Sequence, residues 1–276
     1  MIRTTRRRTL RIARALGAGI VSACVWGLSC AGAQTGVGSD QDRSIAEYDL
    51  ARDAFQNGRL REALGHVQGA LRLNAHNAEA SFLGATVMLT FCVADEASTD
   101  CRYAEAEQFA RRALEDEPEF RDAKNTLGVI LIHQKRYDDA IALLAPLAED
   151  ILYSSPDLAW GNLGWAYFLG GDAGKAIGAL RRAVAAQPLF CVGHYRLGLA
   201  YEKMGELEQA LKSLTTAVTT TRPGCSTMQE AFAARARVTQ RVGRLKDARA
   251  DLEQCLKMGP ATAVGRECAD LEKVTH

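Results

Sequence analysis

Proline is scarce in this chain, 6 in 276 residues, so little in the composition interrupts long, packed helices. Net charge is nearly absent as well, at +1. Without the arginines of the first fourteen residues it falls to about −5, which excludes a general affinity for nucleic acid. The apolar run Ala15–Leu28 falls short of the roughly 20 residues that a membrane-spanning helix needs. There is no phosphate-binding Walker loop, no His-Glu-x-x-His, no Gly-x-Ser-x-Gly and no dinucleotide fingerprint, so the common hydrolytic, nucleotide and redox chemistries lack their residues. Histidines are few: His66 and His133 fall on expected helices, His76 at a repeat boundary and His276 at the terminus, all reading as surface or packing residues. No Cys-x-x-Cys occurs, and Cys191 with His194 has no evident completing ligands, so no metal site is expected. The composition and motifs point away from an enzyme, a cofactor and a small-molecule substrate.

What the sequence does have is a period. Trp160-x-x-Leu163-Gly164-x-x-Tyr167, Ala176-x-x-x-Leu180, Ala183 and Pro188 are followed 34 residues on by Leu197, Gly198, Tyr201, Ala210, Leu214 and Ala217. This length and residue order are the tetratricopeptide pattern. Each unit is two antiparallel helices, with small residues where they press together: Gly128, Gly164 and Gly198 on first helices, and alanines 63, 106, 140, 176, 210 and 248 on second helices. The alanine spacings, 43, 34, 36, 34 and 38, reveal insertions in a fixed period. Repeats are expected at about 44–77, 78–120, 121–156, 157–190, 191–228 and 229–262, with a capping helix near 263–274. The fold is therefore an all-α superhelical solenoid of about six helix-turn-helix repeats over 44–276, because a single repeat cannot bury its apolar face alone. The sixth unit departs most, with Arg235 and Thr239 where Leu and Tyr are expected.

The first residues read as an export signal, 1–29, with Arg3, Arg6, Arg7, Arg8, Arg11 and Arg14 ahead of the apolar run and no acid before Asp40. Arg6-Arg7-Arg8 also has a twin-arginine look. Cleavage before Cys30 leaves an apolar core of sensible length and an even number of other cysteines, so Cys30 is the expected lipidation site and 30–43 a flexible tether. Val21-Ser22-Ala23-Cys24 makes Cys24 the alternative anchor, and Ala31-Gly32-Ala33 would suit cleavage to a soluble periplasmic product at Gln34.

Six cysteines then remain, and an exported chain makes them disulfide candidates. Repeat register places Cys92 and Cys101 on either side of the insertion in the second repeat. Cys191 opens the fifth repeat, and Cys225 lies at the equivalent point ahead of the sixth. Cys255 faces the capping helix that carries Cys268. The expected pairs are Cys92–Cys101, Cys191–Cys225 and Cys255–Cys268; the alternative is that some stay free as small buried thiols.

Positions 2, 5, 9 and 12 of each first helix are expected to line a concave face. They supply Ile45, Tyr48 and Phe55, then Phe82 and Leu89, Val129 and Ile132, Leu158, Trp165 and Phe168, and Tyr195 and Leu199. Such a strip suits anchoring a protein partner through a few contacts. Phe82, Ile132, Trp165, Phe168, Tyr195 and Leu199 are the expected binding residues, with Trp165, Phe168 and Tyr195 forming one aromatic patch. The other reading is that tight curvature folds the strip into core. Asp122, Asn125 and Glu202 interrupt it and call for a polar complement.

Tyr153-x-x-Pro156 followed by Asn162-Leu163-Gly164-Trp165-Ala166 goes beyond the general repeat. With the export signal and six repeats, it resembles the PilF/PilW/Tgl family of type IV pilus biogenesis lipoproteins, and the cysteine content is most similar to the myxobacterial Tgl branch. The resemblance implies a pilotin on the periplasmic face of the outer membrane, lipid-anchored, that helps type IV pilus secretin subunits assemble. The alternative is a periplasmic scaffold for another envelope assembly.

Overall fold

The computed structural model describes residues 39–275, so both proposed anchors, Cys24 and Cys30, the 1–29 signal, most of the 30–43 tether and His276 lie outside the described residues. Among those residues every regular element is a helix. Six pairs follow one another: α1 (Asp40–Gln56) with α2 (Leu60–Leu73), α3 (Ala78–Ala94) with α4 (Tyr103–Asp116), α5 (Arg121–His133) with α6 (Tyr137–Ala148), α7 (Pro156–Leu169) with α8 (Ala173–Ala186), α9 (Cys191–Lys203) with α10 (Leu207–Thr219), and α11 (Gln229–Arg241) with α12 (Leu245–Met258). A last helix, α13 (Ala263–Lys273), covers the open end by packing on α11 and α12.

One boundary differs from the sequence expectation. The tether was to run to residue 43, but α1 already starts at Asp40 because Ser39 and Asp42 form a reciprocal cap. The Asp42 amide donates to Ser39 Oγ at 3.2 Å and the Ser39 amide to Asp42 Oδ2 at 2.9 Å, satisfying two orphan donors of the first turn.

The pairs close tightly because their glycines leave room. A Cβ on Gly164 would lie 2.6 Å from Leu180 Cγ, and one on Gly198 would lie 2.5 Å from Leu214 Cγ. Leu180 and Leu214 are fully buried in those gaps, next to Ala176 and Ala210. At the turn between paired helices the backbone turns left-handed, with Gly58, Gly171, Gly205 and Gly243 at φ between +73° and +95°. Lys135 holds the corresponding place in the third repeat at φ 62°, where glycine would be the unstrained residue.

First helices touch their successors as well as their own partners, whereas no two second helices meet among the described residues. This asymmetry curves the solenoid and lines its inner face with α1, α3, α5, α7, α9 and α11. In the sixth repeat the two off-pattern residues are accommodated by polar partners. Arg235 donates through Nε to Asp251 Oδ2 at 2.8 Å, and buried Thr239 Oγ1 donates to the Arg235 carbonyl at 2.6 Å.

The structure brings the six cysteines together in three pairs, Cys92–Cys101, Cys191–Cys225 and Cys255–Cys268, with Cα separations of 4.3, 5.8 and 6.5 Å. These separations suit disulfide bonds. Non-reduced peptide mapping of protein from an oxidising compartment should recover these three links, with no cysteine alkylated before reduction. A bridge between the second and fifth repeats, or free thiols throughout, would contradict it. Breaking Cys191–Cys225, whose 34-residue separation closes the longest loop, should cost most, about 3–4 kcal/mol on the chain-entropy account.

Candidate binding groove

The inner face of repeats three to six is built from short polar relays set between aromatic and aliphatic side chains. On α7, Trp165 and Phe168 lie three residues apart and stack, centroids 5.1 Å apart and planes 12° apart. One turn earlier, Asn162 donates through Nδ2 to Asn125 Oδ1 on α5 at 3.1 Å. From α9, Arg196 reaches across: Nη1 donates to Asn162 Oδ1 at 3.0 Å and to the Gly161 carbonyl at 3.1 Å. Its guanidinium lies 5.2 Å from the centre of the Trp165 ring, so the indole supports the cation from beneath. Burial lowers the Arg196 pKa to about 10, which leaves it charged at neutral pH.

Further along, Phe168, Leu199, Glu202, Lys203, Arg237 and Arg241 line an open depression of about 370 Å³. Glu202 accepts from Arg237 Nε and Nη2, both at 2.9 Å, and from Arg241 Nη1 at 3.3 Å. Arg237 also reaches Glu267 on α13 at 2.8 Å. The hydrogen bonds that Arg237 donates to Glu202 hold its pKa above the ordinary guanidinium value despite partial burial. The inner face therefore changes character along its length. Around α5 it offers Asn125, bonded to Asn162, and between α9 and α11 Lys203, Arg237 and Arg241 surround Glu202.

The six expected binding residues do not form one strip. Trp165, Phe168 and Leu199 line the groove, half-buried. Phe82 packs on Phe120, centroids 4.8 Å apart, and so belongs to the junction between repeats two and three. Ile132 requires correction: it is only 5 % exposed, within the core of repeats three and four. Tyr195 leaves the expected aromatic patch. It packs against Ala217, Ala231 and Phe232 toward the sixth repeat, and burial there raises its pKa to about 12. Position 12 of α5 and position 5 of α9 thus turn into neighbouring helices, whereas Phe168, at position 12 of α7, stays in the groove. Among the described histidines each is engaged locally: His66 with Glu47 and His76 with Asp116, both at 2.7 Å, His133 with Tyr103 at 3.1 Å, and His194 with the Pro188 carbonyl at 3.0 Å.

Sequence position alone does not single out Arg196, Asn162, Arg237 or Arg241. A polar residue at such places reads as solvated until its neighbours are known. The available signal was that Arg196 recurs 34 residues after Asn162, which puts both on the same line of the solenoid.

The fold and this groove define a helical-repeat scaffold of the protein-binding class. The tetratricopeptide repeat family matches residues 101–151, residues 48–87 and 145–189, and residues 193–222. The chain belongs to the tetratricopeptide repeat proteins. No curated protein matches it. Among solved structures it is similar to PilW, a widely conserved type IV pilus biogenesis factor, at TM-score 0.68 and 20% identity, covering 81% of this chain and 96% of PilW. It is also similar to PilF of Pseudomonas aeruginosa, at TM-score 0.66 and 17% identity, covering 84% of this chain and 99% of PilF. The Cut9–Hcn1 assembly of the APC/C gives TM-score 0.70 at 16% identity, but the match covers only 43% of that chain. At these identities the likeness establishes the fold.

Proposed function

We propose that this chain is an exported pilotin: a lipid-anchored scaffold on the periplasmic face of the outer membrane that binds subunits of the type IV pilus secretin and promotes their assembly. The carrying observation is end-to-end correspondence. PilW and PilF are matched over nearly their whole length, whereas the similarly scoring chain of the Cut9–Hcn1 assembly is matched over less than half of its own. Three cysteine pairs within bonding reach favour an oxidising compartment. The six paired cysteines favour the myxobacterial Tgl branch of that family in this reading. The test is the amount of heat-resistant secretin multimer in membranes from cells with and without the protein. Loss of multimers on deletion, with monomer still made, is the expected result. Unchanged multimers would reject the pilotin role and leave a scaffold for another envelope assembly.

The anchor has its own test. Cys30→Ala should release the protein from membranes or block its maturation, while Cys24→Ala should leave the mature mass unchanged. Mass spectrometry of the N-terminal peptide reads both. An acylated peptide beginning at Cys24, or an unmodified one beginning at Gln34, would overturn the assignment.

A further inference from the structure

We infer that the solenoid rests on a phospholipid surface by its inter-repeat edge, with Ile151 and Leu152 entering the hydrocarbon and Leu189 of the next loop following them. The inference rests on the proposed lipid anchor and adds to it an orientation of the folded domain.

Connectivity defines the edge. Consecutive helices are joined by short turns and reverse direction, while first helices lie beside their successors, so every first helix starts on the same side of the solenoid, where the inter-repeat loops lie. Ser44 shows the closure: its Oγ donates to the Ala70 carbonyl near the end of α2 at 2.9 Å and accepts from Asn77 Nδ2, ahead of α3, at 3.0 Å. The chain ahead of Ser39 therefore enters the fold on this edge. Cys30 lies nine residues before Ser39, a reach of at most about 30 Å at roughly 3.3–3.6 Å per residue. The loop ahead of α7 is three first helices further on, about 24–30 Å at 8–10 Å between axes. The tether is thus long enough for the acyl group and that loop to meet one surface.

The loop before α7 is built to project. It runs from 149 to 155, whereas the loops before α5 and α9 are 117–120 and 187–190. Ile151 is 95 % exposed and Leu152 72 %. Apolar residues scattered singly on a surface need no explanation, but an adjacent pair at this exposure does. Nor is the pair a loose end. The Leu152 amide donates to Asp150 Oδ1 at 2.8 Å, and Arg121 Nε donates to Asp150 Oδ2 at 2.7 Å. Tyr153 turns inward, into the core of repeats three and four. The backbone is held with its two aliphatic side chains outward. In the next loop Leu189 follows Pro188 and is 53 % exposed. The flanking loops, before α5 and α11, carry Glu119 and Arg222 instead, so the apolar tips project between charged neighbours. That order of groups suits headgroups over hydrocarbon. The anchor brings a bilayer to this edge whatever else binds the domain.

The test places the acylated protein, purified from membranes, in vesicles of phosphatidylethanolamine and phosphatidylglycerol whose acyl chains carry bromine near the carbonyl. Leu152→Trp puts a fluorophore on the tip, and Val93→Trp puts one on the opposite edge, where α3 ends. Both positions are exposed, so neither change strikes the core. Trp160 and Trp165 give the same background in each protein. The emission added by Leu152→Trp should shift to shorter wavelength in plain vesicles and be lost in brominated ones, while that added by Val93→Trp should keep its wavelength and intensity in both. Adding Ile151→Asp to Leu152→Trp should restore most of the lost emission, because the carboxylate draws the loop back into water. Equal quenching at both edges, or none at Leu152→Trp, would overturn the inference. Unquenched Leu152→Trp together with loss of secretin multimers in Ile151→Asp would assign the loop to a protein partner, and cross-linking of two copies through it would assign it to self-association; either result also overturns the inference. An acylated protein whose Leu152→Trp is unquenched rejects this orientation and leaves the anchor standing. An unmodified N-terminal peptide rejects the anchor, and the orientation with it.

Discussion

Asp251→Ala should destabilise the sixth repeat by about 3–5 kcal/mol, the usual effect of removing one partner of a buried ion pair. Asp251 is 5 % exposed and receives both Nε and Nη2 of Arg235, whose own side chain is mostly buried. Without the carboxylate, Arg235 keeps its charge but loses its hydrogen-bonding partner across the helix pair. Arg235 stands where Leu127, Leu163 and Leu197 pack in earlier repeats. Returning it to leucine alone should also destabilise, since Asp251 is then the orphan. The double variant, Arg235→Leu with Asp251→Ala, should recover most of the loss or exceed the parent, because an apolar pair incurs no desolvation of charge. Denaturant melts of the four proteins give the coupling energy directly. Solenoid repeats interact chiefly with neighbours, so hydrogen exchange should show the opening confined to α11, α12 and α13. Additive effects of the two changes would mean that the pair contributes nothing as a pair.

That pair also marks the limit of what the sequence discloses. The period is legible because Gly164 and Gly198 with their buried leucines must recur at one spacing for the helices to close. From the period come the helix positions and, through register, the cysteine neighbours that the structure brings together. The Ser39 cap is also written in the sequence as Ser39-x-x-Asp42, but the small and polar residues around it resemble a tether. Arg235, in contrast, looks like a weakness of the repeat until Asp251 is seen across from it. Tyr195 and Ile132 were misplaced for a geometric reason. A fixed list of inward positions assumes the same rotation for every helix, and in this solenoid those two side chains turn into neighbouring helices. Arg196 was overlooked because a missing counter-ion is a property of space, which spacing along the chain does not encode.

On the proposed pilotin role, Trp165→Glu should abolish secretin multimers while leaving the protein folded. Ordinarily a carboxylate set among half-buried apolar groups strikes at stability. Here Arg196 lies over the Trp165 ring with no acid of its own among the described residues, so the new carboxylate meets a waiting cation. The variant thus removes the aromatic support beneath Arg196, unstacks Phe168 and occupies the guanidinium from inside the protein. Each of these changes acts on the groove. Helical circular dichroism should be unchanged and the melting temperature lowered by only a few degrees, mainly through the lost contact of the indole with the core of repeats three and four. Trp165→Ala, which removes the aromatic but leaves Arg196 free, should lose less multimer than Trp165→Glu. Tyr195→Glu gives the contrast. Its carboxylate would enter the packing between repeats five and six, so it should lower the melting temperature sharply and expose the protein to proteolysis. If Trp165→Glu proved stable and still supported multimers at the parent level, the groove would not be the site of the proposed secretin contact. If it unfolded as Tyr195→Glu is expected to, Trp165 would be core, and the open face would have to be sought elsewhere on the solenoid.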